Sequence, residues 1–133
     1  MKNGFTLLEL LVVIAIIGGL STLMLPNFVM AQERAKETSL RSVALSVQNA
    51  IENYGMDQGS YPGGAQVAVA DLSDTLKTNG YLKSIPKNPY TGKSYQADDE
   101  QGKIVYSYQA DSGDYLLTAY KRDGKTVLAT LPL

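Results

Sequence analysis

In a chain of 133 residues with 12 basic and 13 acidic side chains, a formal net charge of −1 makes no electrostatic case for nucleic acid. The absence of Cys and His excludes thiol redox chemistry, disulfides, His–Cys metal sites and His-based triads. Stability has to come from packing, and beyond one apolar N-terminal stretch there is room for a single domain of roughly 100 residues.

The polar leader Met1-Lys2-Asn3-Gly4 gives way abruptly to an apolar run that starts at Phe5 and lasts to Leu25. Glu9 is its one charge; beyond Glu9 only Gly18, Gly19, Ser21 and Thr22 break the apolar character. Roughly twenty helical residues cover about 30 Å, the thickness of a bilayer's hydrocarbon core, so the stretch predicts a membrane-spanning helix. A carboxylate costs about 2.5–3.5 kcal/mol at mid-bilayer, which makes Glu9 a functional candidate. A secretory signal peptide cut near Val29-Met30-Ala31 is the competing reading, as is a plain anchor with an incidental Glu. Against the signal peptide stand the length of the run and the carboxylate at its head. Lys2 and the initiator amine favour a cytoplasmic N-terminus, although Arg34 and Lys36 weaken that asymmetry.

The helix should not stop at the membrane. From Asn27 to Asn53 the chain has no Gly or Pro, and apolar residues recur at Leu40, Val43/Ala44, Val47, Ala50/Ile51 and Tyr54. Arg34, Glu37, Arg41, Gln48 and Glu52 mark the opposite, polar face. One helix from about Phe5 to Tyr54 is predicted, ended by Gly55. Gly18, Gly19 and Pro26 make residues 18–26 its weakest segment outside lipid, since in water each Gly costs about 1 and Pro about 3 kcal/mol relative to Ala. That segment is either a simple kink or a functional melting point.

Residues 55–64 read as a loop, Asp71–Thr78 as a short helix capped by Asn79-Gly80, and residues 80–92 as irregular chain pinned by Tyr81, Leu82, Ile85 and Tyr90. Ile104–Tyr108, Tyr115–Tyr120 and Thr126–Thr130 alternate as strands of a three-stranded antiparallel meander. Asp123-Gly124 suits a type I′ hairpin. One sheet face would pack on the helix stripe, and the alternation does not settle which. The fold class is α+β.

Gly4-Phe5 with Glu9, Gly18 and Pro26 resembles the N-terminus of the type IV pilin superfamily. Gly59-Ser-Tyr-Pro62, Gly80-Tyr-Leu-Lys83, Ile85-Pro-Lys-Asn-Pro89 and Gly92-Lys-Ser-Tyr95 look like the connecting loop of the major pseudopilin of type II secretion. The resemblance implies prepilin-peptidase cleavage between Gly4 and Phe5, N-methylation of Phe5, and an assembly role for Glu9. It divides the chain into a leader (1–4), a transmembrane and assembly helix (5–27) and a globular head (28–133).

Cleavage would give each mature chain a buried cation at Phe5 and a buried anion at Glu9. These stand at i and i+4, so an internal pair is open, and so is a pair with a neighbouring chain. The resemblance favours the neighbour.

The acidic run Asp98-Asp99-Glu100 reads as a solvated turn rather than a cation site. Major pseudopilins carry calcium in a C-terminal loop that the region Tyr120–Lys125 resembles. Here only Asp123 remains of the carboxylates, too few for a shell of 6–8 oxygens, so neither metal nor cofactor is expected. Lys77, Lys83, Lys87 and Lys93 punctuate the loop without implying a nucleic-acid partner, and the tyrosines read mainly as packing residues. No nucleophile–base constellation is present, so no enzyme is expected.

The resulting expectation is a filament subunit, a pseudopilin of type II secretion. The alternatives are a type IVa pilin, many of which carry a C-terminal disulfide that this chain lacks, and a membrane-anchored binding domain. Its partners would be further copies of itself, the prepilin peptidase, the inner-membrane assembly platform, minor pilins or pseudopilins, and lipid before assembly. It would sit in the inner membrane with its head exported, and after assembly in a periplasmic or cell-surface filament.

Overall fold

The computed structural model describes residues 4–132, so Met1, Lys2 and Asn3 of the expected leader, and Leu133, lie outside it. The chain forms two compact units, Met1–Ala35 and Lys36–Leu133, and one helix, α1 (Leu7–Gln58), supplies residues to both.

In the first unit every described residue from Gly4 to Gln32 is exposed, including Phe5, Leu10, Ile14, Ile17 and Leu25. Leaving such side chains in water forfeits about 1.5–3 kcal/mol each, so this surface calls for lipid or other apolar helices. Among the described residues α1 is the one helix long and apolar enough to cross a membrane. It runs unbroken through Gly18, Gly19 and Pro26. Pro26 has no N–H to offer the Thr22 carbonyl. Ser21 Oγ donates to the Ile17 carbonyl at 2.7 Å and Thr22 Oγ1 to the Gly19 carbonyl at 2.8 Å. Both hydroxyls are thus satisfied within the helix, as an apolar setting requires.

In the second unit Leu40, Ala44, Val47, Ala50 and Ile51 of α1 are buried, with Val43 and Tyr54 packed beside them. The stripe predicted from 3–4 spacing is the core face. The helix starts and ends later than expected. Thr6 stands ahead of Leu7 as its cap, and Gly55 lies inside the helix. A side chain at Gly55 would overlap the Tyr61 ring, so its smallness serves packing. The stop is Gly59, left-handed at φ 73°, whose N–H reaches the Gly55 carbonyl at 2.9 Å.

The sheet has four strands, not three: β1 (Val67–Ala68), β2 (Ile104–Gln109), β3 (Asp114–Tyr120) and β4 (Val127–Leu131), in the order β1-β2-β3-β4 and all antiparallel. The extra strand is two residues long and runs directly into α2 (Val69–Thr78), too short to show alternation in sequence. The inward face is Ile104 and Tyr106 on β2, Tyr115, Leu117 and Ala119 on β3, and Leu128 and Leu131 on β4. Ala119 pairs Ala129 while Tyr120 pairs Val127, which leaves Leu128 as the extra residue of a bulge that turns it into the core.

α2 begins two residues before the expected start and ends where predicted. Gly80 N donates to the Lys77 carbonyl at 3.0 Å and Tyr81 N to that of Leu76 at 2.8 Å, a Schellman cap on Gly80 at φ 83°. Tyr81, Leu82, Ile85 and Tyr90 pack against the core and pin the irregular loop as expected.

The hairpin after β3 is not type I′. That turn needs positive φ at both central residues, and Gln66 is the only described non-glycine residue with positive φ. Asp123 stays at negative φ and only Gly124, at φ 65°, is left-handed. Gly124 N closes the turn on the Lys121 carbonyl at 3.0 Å.

Candidate functional site

The candidate residues Gly4, Phe5 and Glu9 gather at the start of α1. Thr6 N donates to Glu9 Oε2 at 2.9 Å, Thr6 Oγ1 donates to the same oxygen at 2.8 Å, and Glu9 N donates to Thr6 Oγ1 at 3.3 Å. This is a reciprocal capping box, in which the Thr hydroxyl and the Glu carboxylate each satisfy a backbone N–H that the first turn cannot use. The carboxylate also sits at the positive end of the helix dipole. Sequence reasoning singled out Glu9 and missed Thr6, although Thr6-Leu-Leu-Glu9 ahead of an apolar run is the sequence signature of this box. In the uncleaved chain, where Phe5 N is a peptide nitrogen, the Glu9 carboxylate is thus partnered by the Thr6 N–H and hydroxyl.

Phe5 is 83% exposed, and a Cβ placed on Gly4 would touch nothing, so the bond between them stands clear of the fold. A peptidase needs an accessible, extended segment, and Gly4-Phe5 precedes the first helical residue. Gly18 and Gly19 are likewise clear of neighbours, and Pro26 lies within the same exposed helix.

Elsewhere the polar side chains do structural work. Asn88, fully buried, donates from Nδ2 to Asp99 at 3.2 Å and to the Gln101 carbonyl at 2.8 Å, while its Oδ1 accepts from Tyr90 N at 2.9 Å. Asp99 also accepts from Gln96 N at 3.0 Å, so the acidic run is a pinned turn. Asp98 and Glu100 are exposed. Asn88 gave no signal in sequence, because only the return of residues 99–101 onto the loop supplies its partners. Glu52, assigned to the polar face, instead accepts from Tyr61 at 3.0 Å and Tyr115 at 2.6 Å. Among the described residues no three His, Cys, Asp or Glu side chains cluster as metal ligands.

The family profile of the prokaryotic N-terminal methylation motif matches residues 1–25. The chain is 33% identical over 121 residues to a type II secretion system core protein G of Aeromonas hydrophila, covering 83% of this chain and 84% of that one. It is 32% identical over 120 residues to the Vibrio cholerae protein of that name, covering 83% and 82%. To the Pseudomonas aeruginosa protein it is 31% identical over 121 residues, covering 83% and 84%. No solved structure matches significantly.

Proposed function

The chain belongs to the type II secretion core protein G family, the major pseudopilins, and on that footing we propose that its copies are locked into a helical filament by a charge pair between Glu9 and a neighbour's Phe5 amine. The observation that carries this reading is a lone carboxylate at the head of the wholly exposed apolar stretch that opens α1. Cleavage between Gly4 and Phe5 frees an amine whose positive charge survives N-methylation. Both Thr6 bonds fall on Glu9 Oε2, which leaves Oε1 to face an incoming amine. Each copy brings one cation and one anion into an apolar surround, where an unpaired charge is costly and a paired one is tolerated. Neutralisation is then coupled to adding a subunit.

The function is structural rather than catalytic. Residues 1–4 are the leader removed by the prepilin peptidase, residues 5–27 the membrane and assembly segment, and residues 28–133 the exported head. Lipid holds the apolar helix in the inner membrane before assembly; a membrane assembly platform and minor pseudopilins act on it afterwards. Gly18, Gly19 and Pro26 are the positions at which the helix yields when it leaves lipid, where backbone bonding is no longer enforced.

Glu9→Gln tests the pairing. Size is kept and charge removed, so membrane insertion persists while filament yield falls, because the neighbour's amine loses its counter-charge, typically about 3–5 kcal/mol for a broken buried pair. Glu9→Asp is intermediate. Filament yield is measured beside the membrane-inserted pool, and wild-type filaments from Glu9→Gln would remove the charge pair from the assembly account. Intact mass of assembled subunits checks processing: the expected chain starts at a methylated Phe5, and retention of Met1 or a start at Gln32 contradicts it.

A further inference from the structure

The resemblance to major pseudopilins implies calcium in the loop between the last two strands, and the oxygens of this loop do not fit one. Asp123 Oδ1 already accepts from Lys125 N at 3.0 Å and Thr126 N at 2.9 Å, and Oδ2 accepts from Thr126 Oγ1 at 2.5 Å. The Lys121 carbonyl takes both Gly124 N at 3.0 Å and Gly102 N at 3.2 Å, and the Thr126 carbonyl takes Lys121 N at 2.8 Å. The Glu100 carboxylate, beside Gly124, stands 3.5 Å from the Lys103 ammonium and would meet a side chain placed on that glycine. Calcium needs 6–8 oxygens with free lone pairs and a negative surround. Here Lys121, Arg122 and Lys125 flank the single Asp123 carboxylate.

We propose that in this chain a side-chain clasp, Asp123 to Thr126, closes the loop between β3 and β4 in place of a metal ion, so that the head holds its fold without calcium. The clasp is anchored on both sides. Lys121 Nζ bridges to Glu37 of α1 at 3.0 Å, and Gly102 N joins the loop to the segment before β2. Asp123 Oδ1 accepts two successive backbone N–H groups, as a bound cation cannot, and the Thr126 hydroxyl completes the ring. Gly124 makes this possible: its left-handed backbone lets the chain double back, and its missing side chain leaves room for Glu100. The Thr126 hydroxyl, followed by the Lys125 and Thr126 N–H groups, holds the Asp123 carboxyl down at about 2, so it is an ionised acceptor at neutral pH.

The test is the thermal unfolding of the full chain in detergent, followed by the near-ultraviolet signal of its tyrosines, in excess calcium chloride and in excess chelator. The expected wild-type midpoints coincide, and calcium titration gives no saturable heat. Asp123→Asn and Thr126→Val lower the midpoint in chelator by several degrees, while Thr126→Ser, which keeps the hydroxyl, restores most of it. A saturable rise of the wild-type midpoint with calcium overturns the proposal, as does an unchanged midpoint for Thr126→Val. Should Asp123→Asn fail to fold, the wild-type titration and the Thr126 pair still decide the matter. None of these readouts uses filaments, so the outcome is independent of the Glu9 pairing.

Discussion

The Tyr115 hydroxyl donates a 2.6 Å hydrogen bond to Glu52 Oε1 and so ties β3 to α1 across 63 residues of sequence. Tyr61 reaches the other carboxylate oxygen at 3.0 Å, and its ring meets that of Tyr115 edge-on at 4.7 Å. Tyr106 also stacks on Tyr115, at 5.6 Å between ring centroids, and donates to the Pro62 carbonyl at 2.6 Å. One carboxylate thereby joins helix, loop and sheet at the end of the core. Tyr115→Phe should cost the head about 1.5–3 kcal/mol, the range for a hydrogen bond to a charged group. Tyr61→Phe should cost less, its bond being longer. Urea unfolding of both variants and the double variant gives the coupling; additive losses would mean that the two hydroxyls do not share Glu52 as a hub.

Burial foremost raises the pKa of Tyr95, Tyr106 and Tyr115 above the ordinary tyrosine value, and beside Tyr115 the Glu52 charge adds to it. The folded state therefore favours their neutral form more than the unfolded chain does. Their contribution is fully present below about pH 10 and is lost as pH rises beyond it, because the unfolded chain ionises first. Tyrosinate absorbance should rise in two stages, the later one coinciding with loss of helix signal. A single smooth titration of all nine tyrosines with the fold intact would contradict this.

Asp123 works in the opposite direction. Its carboxyl is held at about 2, chiefly by the Thr126 hydroxyl, so its contribution is present above the unfolded value near pH 4 and fades as pH falls towards 2. Wild type should lose stability over that window more steeply than Asp123→Asn, which has no proton to take up there. Parallel curves for the two would show that the clasp does not depend on charge.

Thr6 separates capping from assembly. Thr6→Ala removes the hydroxyl and should weaken the helix start by about 0.5–2 kcal/mol, the usual value of a lost cap. Glu9 keeps its charge, so filament yield should fall far less than with Glu9→Gln. If the two variants lose filaments equally, the role of Glu9 is to start the helix and not to neutralise a neighbour.

The head's core lies wholly within Lys36–Leu133, so a chain starting at residue 29 should fold as a soluble monomer. Ile51, fully buried, should cost about 2–5 kcal/mol when cut to Ala. Circular dichroism and denaturant titration read both. A loss below about 1 kcal/mol at Ile51 would mean that the stripe is not packed as described.

Local pattern alone determined the apolar helix, the buried stripe Leu40–Ile51, the three longer strands and the lone carboxylate at Glu9. Each is written in periodicity or in one out-of-place charge, and short-range physics suffices to read it. The capping partner Thr6 was equally legible, since its whole mechanism spans three residues. Tertiary structure alone decided the rest. Gly55 resembles a helix stop, and only the Tyr61 ring explains why a glycine sits inside the helix instead. Glu52 resembles a solvent-facing charge until Tyr115 arrives from 63 residues away. Asn88, β1 and the face of the sheet depend in the same way on partners distant in sequence. A pattern records what a residue prefers, whereas its partner is settled only when the chain closes on itself.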